Sequence, residues 1–257
     1  MGIIFQHKRL AILSICLVFL LYFGYAQEVG EVEWKKVIVK EWGVGGFLNT
    51  NGGGLSFQQG RTPTYYNKHF WEIDLWYNAH HKTVRARNPY YSDATGYSYG
   101  KLCDLMFLRG GYGFQRTLHQ KPYWGGVRIR YTISGGLSLG FSMPVYLYIV
   151  NYSTTGSVIG KYTAKYEPEK FGIDDILGRS SYFQGIGETK LHPGFYCKTG
   201  VNFDFSKDEY TMHAIEIGVS IDMVFPFVQQ MAYNKAKPFH LCAYIAYYFG
   251  KRKGNYE

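Results

Sequence analysis

The sequence lacks the short motifs that mark the common catalytic sites. No glycine-rich segment ends in the lysine of a phosphate-binding loop, no GxSxG segment supplies a nucleophile elbow, and no HExxH pair supplies zinc ligands. These absences exclude the enzyme classes that depend on those motifs. His119, Ser138, His192 and Glu216 remain as catalytic candidates, but no spacing places a base beside a nucleophile. We therefore expect no enzyme, no cofactor and no small-molecule substrate.

Cysteine and histidine are too few, and wrongly spaced, for a disulfide framework or a metal site. Beyond the N-terminal apolar run only Cys103, Cys197 and Cys242 remain, an odd number without paired spacing. We interpret them as small apolar residues of strands. His80 and His81 are adjacent, so on a strand they point to opposite faces and make a poor chelate. The sequence predicts no metal site.

The N-terminus has the pattern of an export signal. Lys8 and Arg9 precede an apolar run over 10–23, and small residues follow at Gly24 and Ala26. The run is shorter than the roughly 20 residues of a membrane anchor, so residues 1–26 are predicted to be a cleaved signal peptide. The formal net charge is +9. In an exported protein it favours lipid phosphates, glycans or acidic proteins over nucleic acid as partners.

Long segments of alternating polarity dominate the rest of the chain. In 214–225, apolar side chains fall on one face, and Glu216, Asp222 and small residues fall on the other. Such alternation fits a soluble sandwich or a membrane barrel equally, since both have period two. The export signal, strands of about a dozen residues, and aromatic residues near strand ends favour the membrane. We predict an all-β protein, an eight-stranded antiparallel transmembrane barrel of the outer-membrane type.

Strand parity guides the predicted boundaries, because bacterial single-chain barrels have an even number of strands. The expected strands are 41–62, 65–79, 101–118, 122–134, 136–150, 190–206, 210–226 and 238–250. Eight strands require the glycine-rich residues 49–54 to be a kink within the first strand; the alternative is a hairpin turn. The predicted domains are the signal peptide 1–26, a periplasmic segment 27–40, the barrel 41–250 and a basic periplasmic tail 251–257.

Charged residues in the middle of predicted strands should point into the barrel. They are Glu72, Asp74, Arg128, Arg130, Lys198, Asp204, Glu216 and Asp222. An eight-stranded barrel is just wide enough to be filled by side chains. A buried charge without a partner lowers the stability of the fold by several kcal/mol. We therefore expect these charges to pair with one another and to fill the barrel, which argues against a diffusion pore.

The same parity places the loop 78–100 and the tail on the periplasmic side, and the loop 151–189 outside. Both periplasmic segments are basic. The candidate partner-binding residues of the loop are His81, Lys82, Arg85 and Arg87. The alternative is a solvated loop, because charge runs often have no partner.

Several segments, in this order, together resemble the PorG family of outer-membrane barrels associated with the type IX protein secretion system. They are GVGGFLNTNGGGLSF, TYYNKHFWEIDL, LRGGYGFQRTLHQK, GGVRIRYTISGGLSLGFSMPVYL, GFYCKTGVNFDFS and FGKR. The family commonly has a KHPKE-like run where this chain has HHKTVRARNP, which keeps only the basic character.

The resemblance implies a non-enzymatic barrel that anchors a periplasmic ring, built from a lipoprotein and its partner protein, to the outer membrane. The partners expected on this basis are outer-membrane lipid and the two ring proteins. The resemblance also implies that the tail is a contact surface, with Lys251, Arg252 and Lys253 as candidate partner-binding residues. Two alternatives remain open: a general small barrel for adhesion or envelope stability, and a lipid-modifying enzyme.

Overall fold

The computed structural model describes residues 38–64, 66–80, 83–120, 126–152, 158–168, 170–208, 210–234 and 236–255. The predicted signal peptide lies outside these residues. The strands are β1 Ile38–Asn49, β2 Gly52–Thr64, β3 Asn67–Asn78, β4 Val84–Ala86, β5 Tyr97–Tyr99, β6 Cys103–His119, β7 Arg128–Pro144, β8 Tyr146–Tyr152, β9 Val158–Lys165, β10 Ile176–Arg179, β11 Lys190–Asp204, β12 Thr211–Val228 and β13 Lys237–Asn255. A 3₁₀ helix spans Tyr182–Glu188.

Eight of these strands close into a ring in the order β1-β13-β12-β11-β7-β6-β3-β2, and every pairing is antiparallel. The pairing of β1 with β13 leaves no free edge. If one starts at Trp42 on β1 and follows paired residues through β2 and around the ring to β13, the path ends at Leu241. The residue of β13 that pairs directly with Trp42 is Lys251, which is ten residues further along the strand. This stagger is the shear of the barrel, and closed barrels tilt their strands by about 35–45°.

Alternation along each strand separates an apolar outer face from a polar interior. On β12, Ile217, Val219 and Ile221 are exposed, whereas Glu216 and Asp222 are completely buried. Every Asp and Glu within the eight ring strands is buried. The predicted fold class, an eight-stranded antiparallel barrel of the outer-membrane type, is confirmed. Among the described residues, no helix is both long and apolar enough to cross a membrane.

Two of the predicted strand boundaries are wrong, and the two errors cancel in the count. The first predicted strand, 41–62, is two strands joined by a turn at Thr50 and Asn51, and Gly52 has φ +144° there. Conversely, the predicted strands 122–134 and 136–150 are replaced by the single strand β7, which continues through Gly135 and Gly136. The glycines of the first segment turn the chain, and those of the second let neighbouring strands approach closely.

The first error reverses the direction of the next strands, so the basic loop changes sides. The connections that follow β2, β6 and β11 begin and end at the same end of the barrel as residues 38 and 255; we call this the turn end. The loops 79–102, 145–189 and 229–236 lie at the opposite end, the loop end. The loop 78–100 and the tail, expected on one side, therefore occupy opposite ends.

The two longest loops fold together at the loop end into what we call the cap, formed by the described residues of 79–102 and 145–189. It contains a three-stranded sheet, β10-β8-β9, and the hairpin β4-β5. A separate apolar core includes Tyr97, Leu147 and Ile176. The buried Asn88 joins the two loops, because its amide Nδ2 donates to the carbonyls of Asp174 at 2.7 Å and Ile176 at 3.1 Å.

Candidate functional site

The barrel interior holds three clusters of paired charges, stacked from the turn end to the loop end. Six of the predicted inward charges are buried there and take part in these clusters: Glu72, Asp74, Lys198, Asp204, Glu216 and Asp222. Arg130 is also buried and joins the cluster at the turn end. Arg128 is only partly buried, since it is the first residue of β7.

The turn-end cluster surrounds the carboxylates of Glu41 and Asp204. Glu41 forms ion pairs with Lys68, with Arg130 at 3.5 Å and with Arg252 at 2.9 Å. Arg252 and Arg130 both reach Asp204 as well. Three cations therefore share two carboxylates, and residues from β1, β3, β7, β11 and β13 are tied together across this end of the lumen.

The central cluster has the opposite balance, with four carboxylates around two cations. The ammonium group of Lys198 lies 3.2 Å from Glu72, 3.5 Å from Asp74 and 3.9 Å from Glu216. The guanidinium of Arg109 forms a two-point contact with Asp222, its Nε donating at 2.7 Å. Hydroxyl donors satisfy further carboxylate oxygens, because buried acceptors need partners.

Tyrosines reach across the lumen into the central cluster. The hydroxyl of Tyr196 donates to Glu72 at 2.8 Å, and that of Tyr244 donates to Glu216 at 2.8 Å. A glycine makes room for Tyr196, since a Cβ on Gly111 would lie 2.2 Å from the Tyr196 hydroxyl. Glycine at this position therefore serves the polar interior of the barrel.

The loop-end cluster joins the barrel to the cap through Asp104. Lys101 lies 2.6 Å from this carboxylate, Tyr77 donates to it at 2.6 Å, and Arg179 of β10 forms a further ion pair. Burial of Lys101 disfavours its charge, but Asp104 attracts the ammonium group, so the net effect raises the pKa of Lys101. The cap is thus fixed to the ring by charge as well as by its covalent connections.

Two cavities lie at the loop end. The larger, about 340 Å³, is lined by residues that include Asn51, Asn78 and His240. The smaller, about 240 Å³, is lined by residues that include Ser142 and His192. His192 Nε2 lies 2.8 Å from Ser142 Oγ, and its Nδ1 lies 2.8 Å from the Pro226 carbonyl.

This contact bears on the catalytic candidates considered from sequence. His192 meets Ser142 and not Ser138, while Glu216 bonds to Thr132 and Tyr244 in the centre of the barrel. His119 is the last residue of β6, at the turn end. The structure therefore does not assemble those four candidates into one site. Among the described residues, no group of three or more His, Cys, Asp or Glu side chains is arranged to hold a metal ion.

The predicted partner-binding residues do not form one surface. His81 and Lys82 lie outside the described residues. Arg85 and Arg87 are exposed in the cap, at the loop end, where Arg87 donates to the Ala94 carbonyl at 2.9 Å.

Residues 251–255 of the predicted tail belong to β13 and pair with β1, and residues 256–257 lie outside the described residues. Lys251 and Lys253 point outward, whereas Arg252 points inward and pairs with Glu41 and Asp204. The assignment of Arg252 to a partner surface is therefore corrected, because the strand continues and alternation directs this side chain into the lumen.

Sequence reasoning missed several residues of the filled interior. Lys68, Arg109 and Glu41 are buried and charged, but they are not among the inward charges predicted from the alternation. Arg109 could have been found by extending the alternation of β6, since it lies between the exposed Leu108 and Gly110. Glu41 was missed because it stands at the edge of the predicted first strand.

Comparisons with known proteins return solved barrels of low similarity. No protein-family model matches the chain, and no curated protein matches it. Neisserial surface protein A is 10% identical with a TM-score of 0.34, over 84% of this chain and 95% of that one. Ail, the attachment invasion locus protein of Yersinia pestis, is 9% identical with a TM-score of 0.35 in its complex with the heparin analogue sucrose octasulfate, over 84% of this chain and 97% of that one. The description of the eight-stranded ring rests on this chain's own strand pairing.

Proposed function

We propose that this protein is a non-enzymatic barrel of the bacterial outer membrane that belongs to the type IX secretion machinery and anchors its periplasmic ring. The filled interior carries the proposal. Charged and aromatic side chains such as Lys198, Arg109 and Tyr248 are almost completely buried in the lumen. A barrel filled in this way is suited to anchoring, so its partners must be met at its ends or on its outer face.

The lengths of the connections support one orientation in the membrane. Bacterial outer-membrane barrels have short turns on the periplasmic side and longer loops outside. By this rule the turn end faces the periplasm and the cap faces the cell exterior. The ring would then meet the turn end, where Lys207 is exposed; Lys251 pairs directly with Trp42 on the outer face of the barrel, which faces lipid. In this orientation Arg85 and Arg87 face the cell exterior and would not meet the ring.

Charge reversal with affinity purification tests this proposal. Lys207→Glu should reduce recovery of the ring lipoprotein and its partner with the solubilised barrel, because a positive charge at the proposed contact is replaced by a negative one. Arg85→Glu is the matched control in the cap and should leave recovery unchanged. Heat-modifiable migration on gels verifies folding of both variants. Unchanged recovery with the turn-end variant, or loss with the cap variant, contradicts the proposal.

The folded cap favours a second candidate function, binding at the cell surface. It has its own core, and it displays large side chains such as Tyr90 and Phe183, which are 74% and 78% exposed. If the cap carries the function, shortening β8–β9 should abolish surface binding while the secretion of other proteins continues. A secretion component should respond to changes at the turn end instead.

A further inference from the structure

Three cations stand side by side on the outer face of the barrel at the turn end. Lys253 of β13 pairs directly with Lys40 of β1, and Lys40 pairs directly with Arg61 of β2. All three side chains are exposed, and their neighbours along the strands, such as Glu41 and Arg252, point inward. Adjacent strands are about 4.8 Å apart, so these residues form one continuous line, which we call the cation row.

No acidic side chain of the barrel neutralises the cation row. Every Asp and Glu of the eight ring strands is buried in the interior. Among the described residues, the ion pairs all involve other cations, and none includes Lys40, Arg61 or Lys253. Like charges placed directly opposite on neighbouring strands destabilise a sheet. Within the described residues the row therefore has no counter-charge, and an anion beside it would be stabilised.

The position of the row along the strands indicates where that anion lies. One step further into the outer face, the next line of partners contains Trp42, Gln59, Trp71 and Tyr112. Tryptophan and tyrosine collect at the level of the lipid headgroups. Two residues of strand separate Lys40 from Trp42, a rise of about 7 Å along the strand. Long basic side chains bend toward the polar layer from such positions, which places their charges among lipid phosphates.

We infer that the cation row binds the phosphates of anionic phospholipids in the leaflet at the turn end. Arg61 can offer a phosphate two parallel N–H donors, and the lysines add point charges beside it. A lipid is favoured over an acidic protein because the row lies on the outer face of the strands, next to the aromatic line. The inference rests on the proposed placement in the membrane.

Lipid retention in native mass spectrometry tests the inference. The full chain is released from nanodiscs that contain equal amounts of phosphatidylglycerol and phosphatidylcholine, and the lipids that remain bound are counted. We expect the wild type to retain phosphatidylglycerol preferentially. The triple variant Lys40→Gln, Arg61→Gln, Lys253→Gln should reduce this preference by roughly fivefold per charge removed. A matched triple variant outside the row, Arg85→Gln, Lys161→Gln, Lys207→Gln, should keep it.

A measurement on the wild type and a charge-preserving variant guard against a folding defect. Lys40→Arg combined with Lys253→Arg should retain the preference for phosphatidylglycerol. In the wild type this preference should fall as the salt concentration rises toward about 1 M, where the Debye screening length is about 3 Å. Equal retention of the two lipids by the wild type would overturn the inference. So would a triple variant that keeps its lipid preference but loses a periplasmic protein on affinity purification. Failure of the barrel to fractionate with outer membranes would instead contradict the proposed function, since nanodisc binding does not depend on that result.

Discussion

Removal of Lys198 from the centre of the barrel is the most informative perturbation of the filled interior. Its ammonium group is within 4 Å of three carboxylates, those of Glu72, Asp74 and Glu216. The substitution Lys198→Met keeps much of the side-chain volume but removes the ammonium charge and its N–H donors. Arg109 is the remaining cation of the central cluster, and it is already engaged with Asp222.

The expected loss of stability follows because the central cluster has four carboxylates and, without Lys198, only Arg109 as a cation. Breaking a buried ion pair by removing one partner costs about 3–5 kcal/mol, because the other charge stays buried without compensation. Glu72 keeps hydrogen bonds from Ser134 at 2.6 Å and Tyr196 at 2.8 Å, so its own loss is partly offset. We therefore expect Lys198→Met to lower the free energy of unfolding by about 3–5 kcal/mol.

Urea unfolding in lipid vesicles, followed by tryptophan fluorescence, measures the effect. The control is Lys251→Met, which removes an exposed lysine from the outer face and should change the free energy of unfolding by no more than about 0.5 kcal/mol. Adding Glu72→Gln to Lys198→Met should recover part of the loss, because a carboxylate is removed together with its cation. A Lys198→Met barrel within about 1 kcal/mol of the control would refute the paired-charge interior.

Three further outcomes follow from the same structure. Asn88→Ala removes the amide that joins the two cap loops, so the cap should become sensitive to protease while the barrel still migrates as a folded species; an equally resistant cap would contradict the role of Asn88. Reconstituted wild type should show no stable conductance steps in planar bilayers, since the lumen is filled, and regular ohmic steps would contradict that description. A serine-directed fluorophosphonate should leave Ser142 unlabelled, because the Nδ1 of His192 contacts a backbone carbonyl and lacks the carboxylate that stabilises an imidazolium; labelling that disappears in His192→Ala would revive the enzyme alternative.

Alternation was sufficient to predict the class of the fold and the direction of many side chains. In 214–225 each apolar residue of the alternating pattern lies on the outer face, and Glu216 and Asp222 lie inside. The period of two fixes which face a residue occupies once one neighbour is known. The face that a side chain occupies can therefore be predicted from its immediate neighbours in sequence, as for a charged residue between two apolar residues.

Whether a glycine-rich segment forms a turn or continues a strand could not be predicted from the neighbouring residues alone. Gly52 and Gly136 have similar sequence surroundings, yet Gly52 follows a turn with φ +144°, whereas Gly136 lies inside β7. A Cβ on Gly136 would lie 2.3 Å from the Gly110 carbonyl, so glycine is required at this position because the neighbouring strand β6 lies so close. Such a requirement depends on a residue distant in sequence.

The end of the barrel at which each loop was predicted to lie depended on how those glycine-rich segments were interpreted. Splitting the first predicted strand reversed the strands that follow, and fusing the two predicted strands around Gly135 restored the predicted direction from there onward. The loop 78–100 falls between the two errors and therefore changed sides, while the loop 151–189 did not. Folding of these two loops into one cap, through contacts such as Asn88 with Ile176, was also beyond sequence patterns because it joins distant segments.

Thiol labelling in intact cells tests the central claim, a barrel that spans the outer membrane with its cap outside and its short turns in the periplasm. In a Cys197→Ser background, Tyr90→Cys places a thiol on the cap and Lys207→Cys places one in a turn at the opposite end; both parent residues are exposed. The account predicts that a membrane-impermeant maleimide labels the Tyr90→Cys variant in intact cells, and labels the Lys207→Cys variant only after the outer membrane is permeabilised. Labelling of both variants in intact cells, or of the Lys207→Cys variant alone, would contradict it.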